Sequence, residues 1–242
     1  MTLTPPPPLS VVVSAYLPRG VEAATRLAFK LRTFVREVFL IINSDETEGP
    51  VTLREEPVTI VVRPNVGMNI GAWAYGATLS DRKNHLLCLQ DECSLHDSSF
   101  AQIYSDLLED PTIGLVGESL NPKWESTWAE ISQSPLNYVV SEPTPRKRVD
   151  VYLDQMSAWG IDPGKNGRHL RALVWGFNRT VVDEFAKIRL GLTKEECIAT
   201  EIAVSKLVEN NLGLKVLQSS QRPFRYFGHS EWENHGLSKK QG

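Results

Sequence analysis

The sequence has few cysteines and no strong excess of either charge. Its 242 residues include three cysteines, Cys88, Cys93 and Cys197, and no two of them have the C-x-x-C spacing of a zinc or redox motif. An odd, low number favours a reducing compartment over a disulfide framework. The net charge is −3, from 26 basic and 29 acidic residues, which gives no general electrostatic reason to expect nucleic acid as a partner.

Long hydrophobic runs are also missing. No segment approaches the roughly 18 consecutive apolar residues that a membrane span requires. The first residues, "MTLTPPPPLS", lack the charged-then-apolar plan of a signal peptide. We therefore expect a cytoplasmic protein with at most peripheral membrane contact. We expect residues 1–8 to form a flexible proline-rich arm, residues 9–228 one domain, and residues 229–242 a C-terminal tail.

Several fingerprints of nucleotide-binding proteins and hydrolases are absent. The first predicted strand continues into "SAYLPRG", where a dinucleotide-binding turn would need G-x-G-x-x-G. There is no G-x-x-x-x-G-K-[ST] phosphate loop, no G-x-S-x-G nucleophile turn and no H-E-x-x-H zinc motif. These absences exclude the simplest interpretations of a strand–helix protein.

Short, apolar, β-branched runs alternate with helical patterns in the first half of the chain. The spacing predicts strands at 9–16, 37–43, 58–63 and 85–90 and helices at 21–34 and 69–80. The second half predicts helices at 98–110, 149–159 and 193–213, a strand at 113–119, a strand turning into a helix at 172–188, and a last strand at 215–220. The fold class predicted is α/β, a mostly parallel sheet with helices on both faces.

Polar residues collect where the predicted strands end. Ligands of open α/β sheets bind at the carboxyl ends of the strands, so this edge is the predicted site. The residues concerned are Ser14, Tyr16, Asn43, Asp45, Asn65, Asp91 and Glu92.

The order of these segments resembles the GT-A class of glycosyltransferases, especially its large inverting family (family 2-like), which uses nucleotide sugars. "VVVSAY" and "FLIINSDET" resemble the first two strands of that class, and "RPNVGMNIGAWAYG" is similar to its N-x-G segment. "LLCLQDECSL" stands where the class has a D-x-D strand end, and "ATEIAVSKLVENNLGLKV" resembles its later acidic helix. A GT-A-like single domain is the fold that this resemblance implies.

The resemblance also implies site residues and substrates. It implies transfer of a sugar from a nucleotide-sugar donor to a glycan or lipid-linked acceptor, as in surface polysaccharide synthesis. A divalent cation, Mg²⁺ or Mn²⁺, would neutralise the leaving diphosphate. The candidate residues are Glu201 and Asp91 for catalysis, Asp91, Glu92 and His229 for the metal, and Ser14, Tyr16, Asn43, Asp45, Asn65, Asn69 and Gln90 for the nucleotide.

Gln90 departs from the D-x-D pattern and leaves metal dependence open. It also suits a non-catalytic sugar-binding module; a nucleotidyltransferase remains a further alternative. Each motif has a simpler interpretation as well: Asn and Gly favour turns, Asp91 and Glu92 suit a solvated strand end, and Glu201 a solvent-facing helix position. Glu195 and Glu196 suit the start of a helix, and "PRKR" at 145–148 suits a solvated loop.

Overall fold

A computed structural model describes residues 6–54, 56–140 and 144–230. Twelve strands are named in chain order: β1 (Leu9–Tyr16), β2 (Glu37–Ser44), β3 (Val51–Arg54), β4 (Thr59–Pro64), β5 (His85–Gln90), β6 (Cys93–Leu95), β7 (Ile113–Gly117), β8 (Val139–Val140), β9 (Arg146–Lys147), β10 (Val174–Phe177), β11 (Lys215–Gln218) and β12 (Phe227–His229). The helices are α1 (Glu22–Leu31), α2 (Met68–Leu79), α3 (Phe100–Glu109), α4 (Trp128–Ser132), α5 (Arg148–Ala158), α6 (Arg179–Ala186) and α7 (Lys194–Lys206), and a π-helical turn, Leu207–Asn211, extends α7.

Eight of these strands form one mixed, mostly parallel sheet. Its order is β11-β7-β10-β5-β1-β2-β4-β3. β10 runs antiparallel between β5 and β7, and β3 is an antiparallel edge strand on β4. The other neighbours are parallel. The fold-class prediction of a single α/β domain with a mostly parallel sheet is confirmed.

Helices cover both faces of the sheet because alternate strand residues point to opposite sides. Val11 and Val13 of β1 pack in a core with α1 and α3, whereas Val12 between them packs in a second core with α2 and α6. The near-continuous apolar runs of β1, β2 and β5 therefore follow from burial on two sides.

A third, smaller core lies in the second half of the chain. Trp124, Tyr152 and Met156 pack there against Ile202 of α7. This packing joins the segment between β7 and β10 to the start and middle of α7. It places α7 beside the carboxyl edge of the sheet, where the sequence predicts the site.

Several strands were not predicted. β3, β6, β8, β9 and β12 are short, and short strands on sheet edges carry little periodic signal. The prediction that 215–220 holds the last strand is wrong, because β12 follows it and pairs antiparallel with β6. β12 also spans the boundary expected between the domain and the tail, and residues 231–242 lie outside the described part of the chain.

The expected arm at 1–8 is described only from residue 6. The carbonyl of Pro8 accepts a hydrogen bond from the His85 backbone N–H at 2.9 Å, and the carbonyl of Pro6 accepts one from Arg36 Nε at 3.3 Å. Residues 1–5 lie outside the described residues. Across the ranges that the structure describes, every helix is too short or too polar to cross a bilayer.

Candidate functional site

A cleft of about 530 Å³ opens at the carboxyl edge of the sheet. The turn that begins α2 forms one side, Gln90 at the end of β5 forms the floor, and residues 169–173 with the first turns of α7 form the other side. Its lining residues are Gly67, Met68, Asn69, Ile70, Gln90, Asn121, Trp124, Arg148, His169, Arg171, Ala172, Leu173, Lys194, Cys197, Ile198 and Glu201. Three of the predicted site residues, Asn69, Gln90 and Glu201, line it together.

Glycines shape the α2 side of the cleft. Gly67 adopts φ of 75° immediately before α2, a left-handed conformation that favours glycine. A Cβ on Gly71 would lie 1.9 Å from the carbonyl oxygen of Val66, and a Cβ on Gly76 would lie 2.5 Å from the Val12 side chain. The "NVGMNIGAWAYG" run is thus a tight turn followed by a helix whose glycines allow close approach to its own turn and to β1.

Glu201 projects from α7 into the cleft, with its side chain 21% exposed. Its Oε1 accepts a hydrogen bond from the Ala172 backbone N–H at 2.9 Å. Burial raises the pKa of this carboxyl to about 7, against the opposing effects of the Ala172 N–H and of Arg171 and Arg148. The group is therefore poised to exchange a proton near neutral pH.

His169 lies next to Glu201, with its Nε2 3.8 Å from Glu201 Oε1. Its Nδ1 donates to the carbonyl of Gly167 at 2.7 Å, since a carbonyl only accepts. Nε2 then carries the lone pair and accepts from Asn121 Nδ2 at 3.3 Å. Burial lowers the pKa of His169 to about 4, so the ring is neutral at pH 7.

Both polar atoms of the Gln90 side-chain amide have contacts at the floor of the cleft. Its Nε2 donates to the Ala172 carbonyl, and its Oε1 lies 3.0 Å from His229 Nε2. His229 is buried and lies 3.5 Å from Glu92 Oε2. β12, a strand that the sequence did not predict, therefore brings His229 close to Gln90 and Glu92. All three are candidate site residues.

The predicted metal ligands are only partly assembled. In residues 6–54, 56–140 and 144–230, no group of three or more His, Cys, Asp or Glu side chains is arranged to hold a metal ion. Asp91, Glu92 and His229 thus do not form a three-ligand site. Burial and the neighbouring Glu92 charge raise the pKa of Asp91, while Glu92 also lies 3.8 Å from Arg19.

Three of the predicted nucleotide residues form an exposed cluster at the ends of β1, β2 and β4. The Tyr16 hydroxyl donates to Asp45 Oδ2, and Asn65 Nδ2 donates to Asp45 Oδ1 at 3.0 Å. The hydrogen bond from Tyr16, and to a smaller extent that from Asn65, lowers the pKa of Asp45. The cluster gives a fixed carboxylate at the sheet edge.

The other predicted nucleotide residues have structural contacts. Asn43 is buried, accepts from Arg63 at 2.8 Å and donates to the Met68 carbonyl at 2.9 Å. Ser14 is buried and donates to Asn69 Oδ1 at 3.2 Å. Asn43 and Ser14 therefore hold the first turn of α2 in place, and Asn69 and Gln90 are the predicted nucleotide residues that line the cleft.

Sequence reasoning missed the basic residues of the cleft. Arg148 of the "PRKR" segment is not a solvated loop residue: it starts α5, its side chain is 14% exposed, and it packs 5.1 Å from the centre of the Trp124 ring. Arg171 and Lys194 also line the cleft. No local motif marks these residues, because distant segments bring them together.

Comparisons with known proteins give only distant similarities. No family model matches the chain, and no curated protein matches it. The mannosyltransferase PcManGT from Pyrobaculum calidifontis, solved with GDP-Man and Mn²⁺, is similar over 95% of this chain with 13% identity and a TM-score of 0.49; the chain spans 60% of its length. A CMP:2-keto-3-deoxy-manno-octonic acid synthetase solved with CTP is similar over 87% of this chain and 88% of its own, with 11% identity and a TM-score of 0.44. Neither value is high enough to transfer an activity.

Proposed function

We propose that this protein is a glycosyltransferase that moves a sugar from a nucleotide-sugar donor to a glycan or lipid-linked acceptor, with inversion at the anomeric carbon. The observation that carries the proposal is Glu201. It is a largely buried carboxylate in a cleft at the carboxyl edge of a mostly parallel sheet, and its pKa is raised to about 7. A general base works best with a pKa near the operating pH.

The nucleoside of the donor binds at the exposed cluster of Tyr16, Asp45 and Asn65. Asp45 offers carboxylate oxygens to ribose hydroxyls or to the N–H groups of a base, and Tyr16 offers an aromatic ring. The cluster stands at the ends of β1, β2 and β4, on the same sheet edge as the cleft. In this proposal the donor therefore extends from the cluster, where its nucleoside binds, into the cleft.

The diphosphate of the donor binds where α2 begins. Met68, Asn69 and Ile70 of its first turn line the cleft, and the first-turn N–H groups of a helix have no partners within the helix. With the helix dipole they favour an anion. Gln90 faces the same space from the end of β5.

A divalent cation fits the carboxylates that follow β5. Asp91 and Glu92 are hard oxygen donors. Burial, and after it the neighbouring Glu92 charge, raise the pKa of Asp91, and a cation would relieve this like-charge contact. Mg²⁺ and Mn²⁺ commonly take one or two protein carboxylates together with substrate phosphates, so a three-ligand protein cluster is not required. When bound there with His229 nearby, the cation would supply charge neutralisation for the leaving diphosphate.

The residues of the chain then support a single displacement. Glu201 accepts the proton of an acceptor hydroxyl while that oxygen bonds to the anomeric carbon of the sugar. The bond from that carbon to the diphosphate oxygen breaks, and the nucleoside diphosphate leaves with the electron pair. The Ala172 N–H keeps the Glu201 carboxylate oriented for this transfer.

The deciding experiment combines ligand binding with product detection. The melting temperature is measured with UDP, GDP, TDP and CMP nucleotides, each with and without Mn²⁺, and the nucleotide sugar whose nucleotide stabilises the protein is then tested for transfer. A ligand that binds only the native state raises the melting temperature by mass action. Absence of any shift at millimolar nucleotide contradicts the proposal. Binding without turnover points to a non-catalytic module, and release of pyrophosphate from a nucleoside triphosphate and a sugar points to a nucleotidyltransferase.

A further inference from the structure

The cleft carries positive charge in a protein that is acidic as a whole. Arg148, Arg171 and Lys194 line it, and Glu201 is the carboxylate among its lining residues. His169 adds no charge at neutral pH, because burial lowers its pKa to about 4. The whole chain has a net charge of −3, so this basic wall, defined as Arg148, Arg171 and Lys194, reverses the overall sign.

Arg148 is fixed in position before any ligand arrives. Its guanidinium lies over three aromatic rings, 4.9 Å from the centre of Tyr138, 5.1 Å from Trp124 and 5.2 Å from Tyr152. Its Nε contacts the Tyr152 hydroxyl and lies 3.5 Å from Glu195. A guanidinium held in this way presents its fork of N–H donors with little loss of side-chain freedom, which suits a planar oxyanion.

Arg171 and Lys194 add charge from two other elements. Arg171 is 6% exposed, and its segment is fixed by a backbone hydrogen bond to the Ser119 carbonyl at 2.9 Å. Lys194 is the first residue of α7 and lies at its N-terminus, where the helix dipole disfavours a cation and favours an anion. A lysine at that position and the helix dipole act in the same direction on a negatively charged ligand.

The basic wall lies on the Glu201 side of the cleft. Arg171 immediately precedes Ala172, whose backbone N–H donates to Glu201, and Lys194 lies on the same helix as Glu201. Arg171 and Arg148 also lower the pKa of Glu201. The first turn of α2, which suits the donor diphosphate, comes from the other half of the chain. In a displacement with inversion, the leaving diphosphate and the attacking hydroxyl stand on opposite sides of the anomeric carbon, and Glu201 contacts the hydroxyl.

We infer that Arg148, Arg171 and Lys194 form an oxyanion subsite that binds a phosphate or carboxylate group of the acceptor. The acceptor of this enzyme is therefore an anionic glycan or a phosphate-bearing lipid-linked sugar rather than a neutral sugar. The inference rests on the proposed function, because it assigns the wall to the substrate whose hydroxyl Glu201 deprotonates.

The test measures binding of small probes to the full chain by thermal shift at constant ionic strength, because salt screens charge–charge attraction. The probes are inorganic phosphate, glycerol 3-phosphate, glucuronate and, as a neutral control, glycerol. Lys194→Gln and Arg171→Gln remove charges from the wall, and Lys187→Gln and Arg168→Gln are the matched controls. Lys187 and Arg168 pair with Glu184 and Glu209 and do not line the cleft.

We expect the anionic probes to stabilise the protein and glycerol to have no effect. Lys194→Gln and Arg171→Gln should each weaken apparent probe affinity about tenfold, the scale of one charged hydrogen bond. Both control variants should bind as the parent does. Lys194 is exposed, so its variant keeps the test valid even if Arg171→Gln fails to fold.

Three outcomes would overturn the inference. Equal thermal shifts with glycerol and with the anions would contradict an oxyanion subsite. Equal losses of probe affinity in the control and wall variants would contradict it as well. Displacement of glycerol 3-phosphate by a saturating nucleoside diphosphate would assign the wall to the donor instead. By contrast, binding of glycerol 3-phosphate with no shift from any nucleotide would overturn the proposed function and leave the oxyanion subsite supported.

Discussion

Glu201 and Ala172 are joined by a hydrogen bond of 2.9 Å from the backbone N–H of Ala172 to the Glu201 carboxylate. This contact ties α7 to the segment that leads into β10, and the carbonyl of the same Ala172 accepts from Gln90 at the end of β5. Three elements that are distant in sequence therefore meet at one residue, Ala172. A displacement of any of them would move the carboxylate relative to the floor of the cleft.

Replacing Glu201 by Gln should lower the transfer rate about a hundredfold or more, which is typical for loss of a general base. The amide oxygen still accepts from Ala172, so nucleotide binding should be retained. Single-turnover transfer and nucleotide thermal shifts measure the two effects. Glu209→Gln is the matched control, since Glu209 extends the same helix with the same 21% side-chain exposure. Transfer by Glu201→Gln at the parent rate would reduce Glu201 to a structural residue.

The pH dependence of activity should reflect the titration of the Glu201 carboxyl. Transfer requires deprotonated Glu201, so the rate of the parent should rise with pH through about 7 and level off above it. The pH–rate profile of the chemical step at saturating donor is the measurement. A profile that is flat between pH 5 and 8 would assign the base to another group.

The stability of the protein should show the opposite trend. Glu201 has its pKa raised from 4.5 unfolded to about 7 folded, so between these values the folded state binds more protons than the unfolded state. The free energy of unfolding then falls as pH rises through this window, by about 3 kcal/mol at 1.36 kcal/mol per unit. In Glu201→Gln this contribution disappears, and denaturant titrations at pH 4.5 and 8 should differ less than in the parent.

Asp45→Ala should weaken nucleotide binding without unfolding the protein, because Asp45 is exposed and holds Tyr16 and Asn65 together. Two lost polar contacts correspond to roughly a tenfold to hundredfold loss of affinity. Nucleotide titrations followed by thermal shift measure the change. Asp110→Ala is the control: Asp110 is an exposed aspartate with two hydrogen bonds to Thr112, away from the cleft. Equal losses in both variants would place the nucleoside elsewhere.

Glu92→Ala should reduce turnover much more than stability, because in the proposed mechanism this half-exposed carboxylate holds the cation at the diphosphate and contributes little to packing. Activity is compared with Glu184→Ala, a surface carboxylate paired with Lys187, over a Mn²⁺ titration. The Glu92 variant should need more Mn²⁺. Equal parental activity with and without EDTA would remove the cation from the mechanism.

Gly71→Ala should destabilise the fold by about 3 kcal/mol or more, since its Cβ would overlap the Val66 carbonyl at 1.9 Å. Gly49→Ala meets nothing within 4 Å and should be close to neutral. Urea titration of both variants checks the difference. Equal stability of the two would mean that the turn before α2 relaxes freely and does not shape the cleft.

The sequence by itself determined the central architecture. β1 and β5 begin and end at the predicted residues, because buried, β-branched runs between turn signals leave few alternatives. The capping box of Thr193 and Glu196 fixes the start of α7 locally, and it accounts for Glu196 as a helix-end residue. Polar strand ends also predicted the edge of the sheet at which the cleft opens, since parallel strands place their carboxyl ends at one edge.

Which polar residues line the cleft depends on tertiary contacts between distant segments. Asn43 and Ser14 are buried and hydrogen-bond to Met68 and Asn69 at the start of α2. Arg148, although it belongs to a basic run in the sequence, packs over three aromatic rings. β12 brought His229 to Gln90 across 139 positions of sequence. Periodicity reports which face of an element is buried, but burial of a charge depends on partners from distant segments. The basic wall beside Glu201 therefore leaves no pattern in any one stretch of the chain.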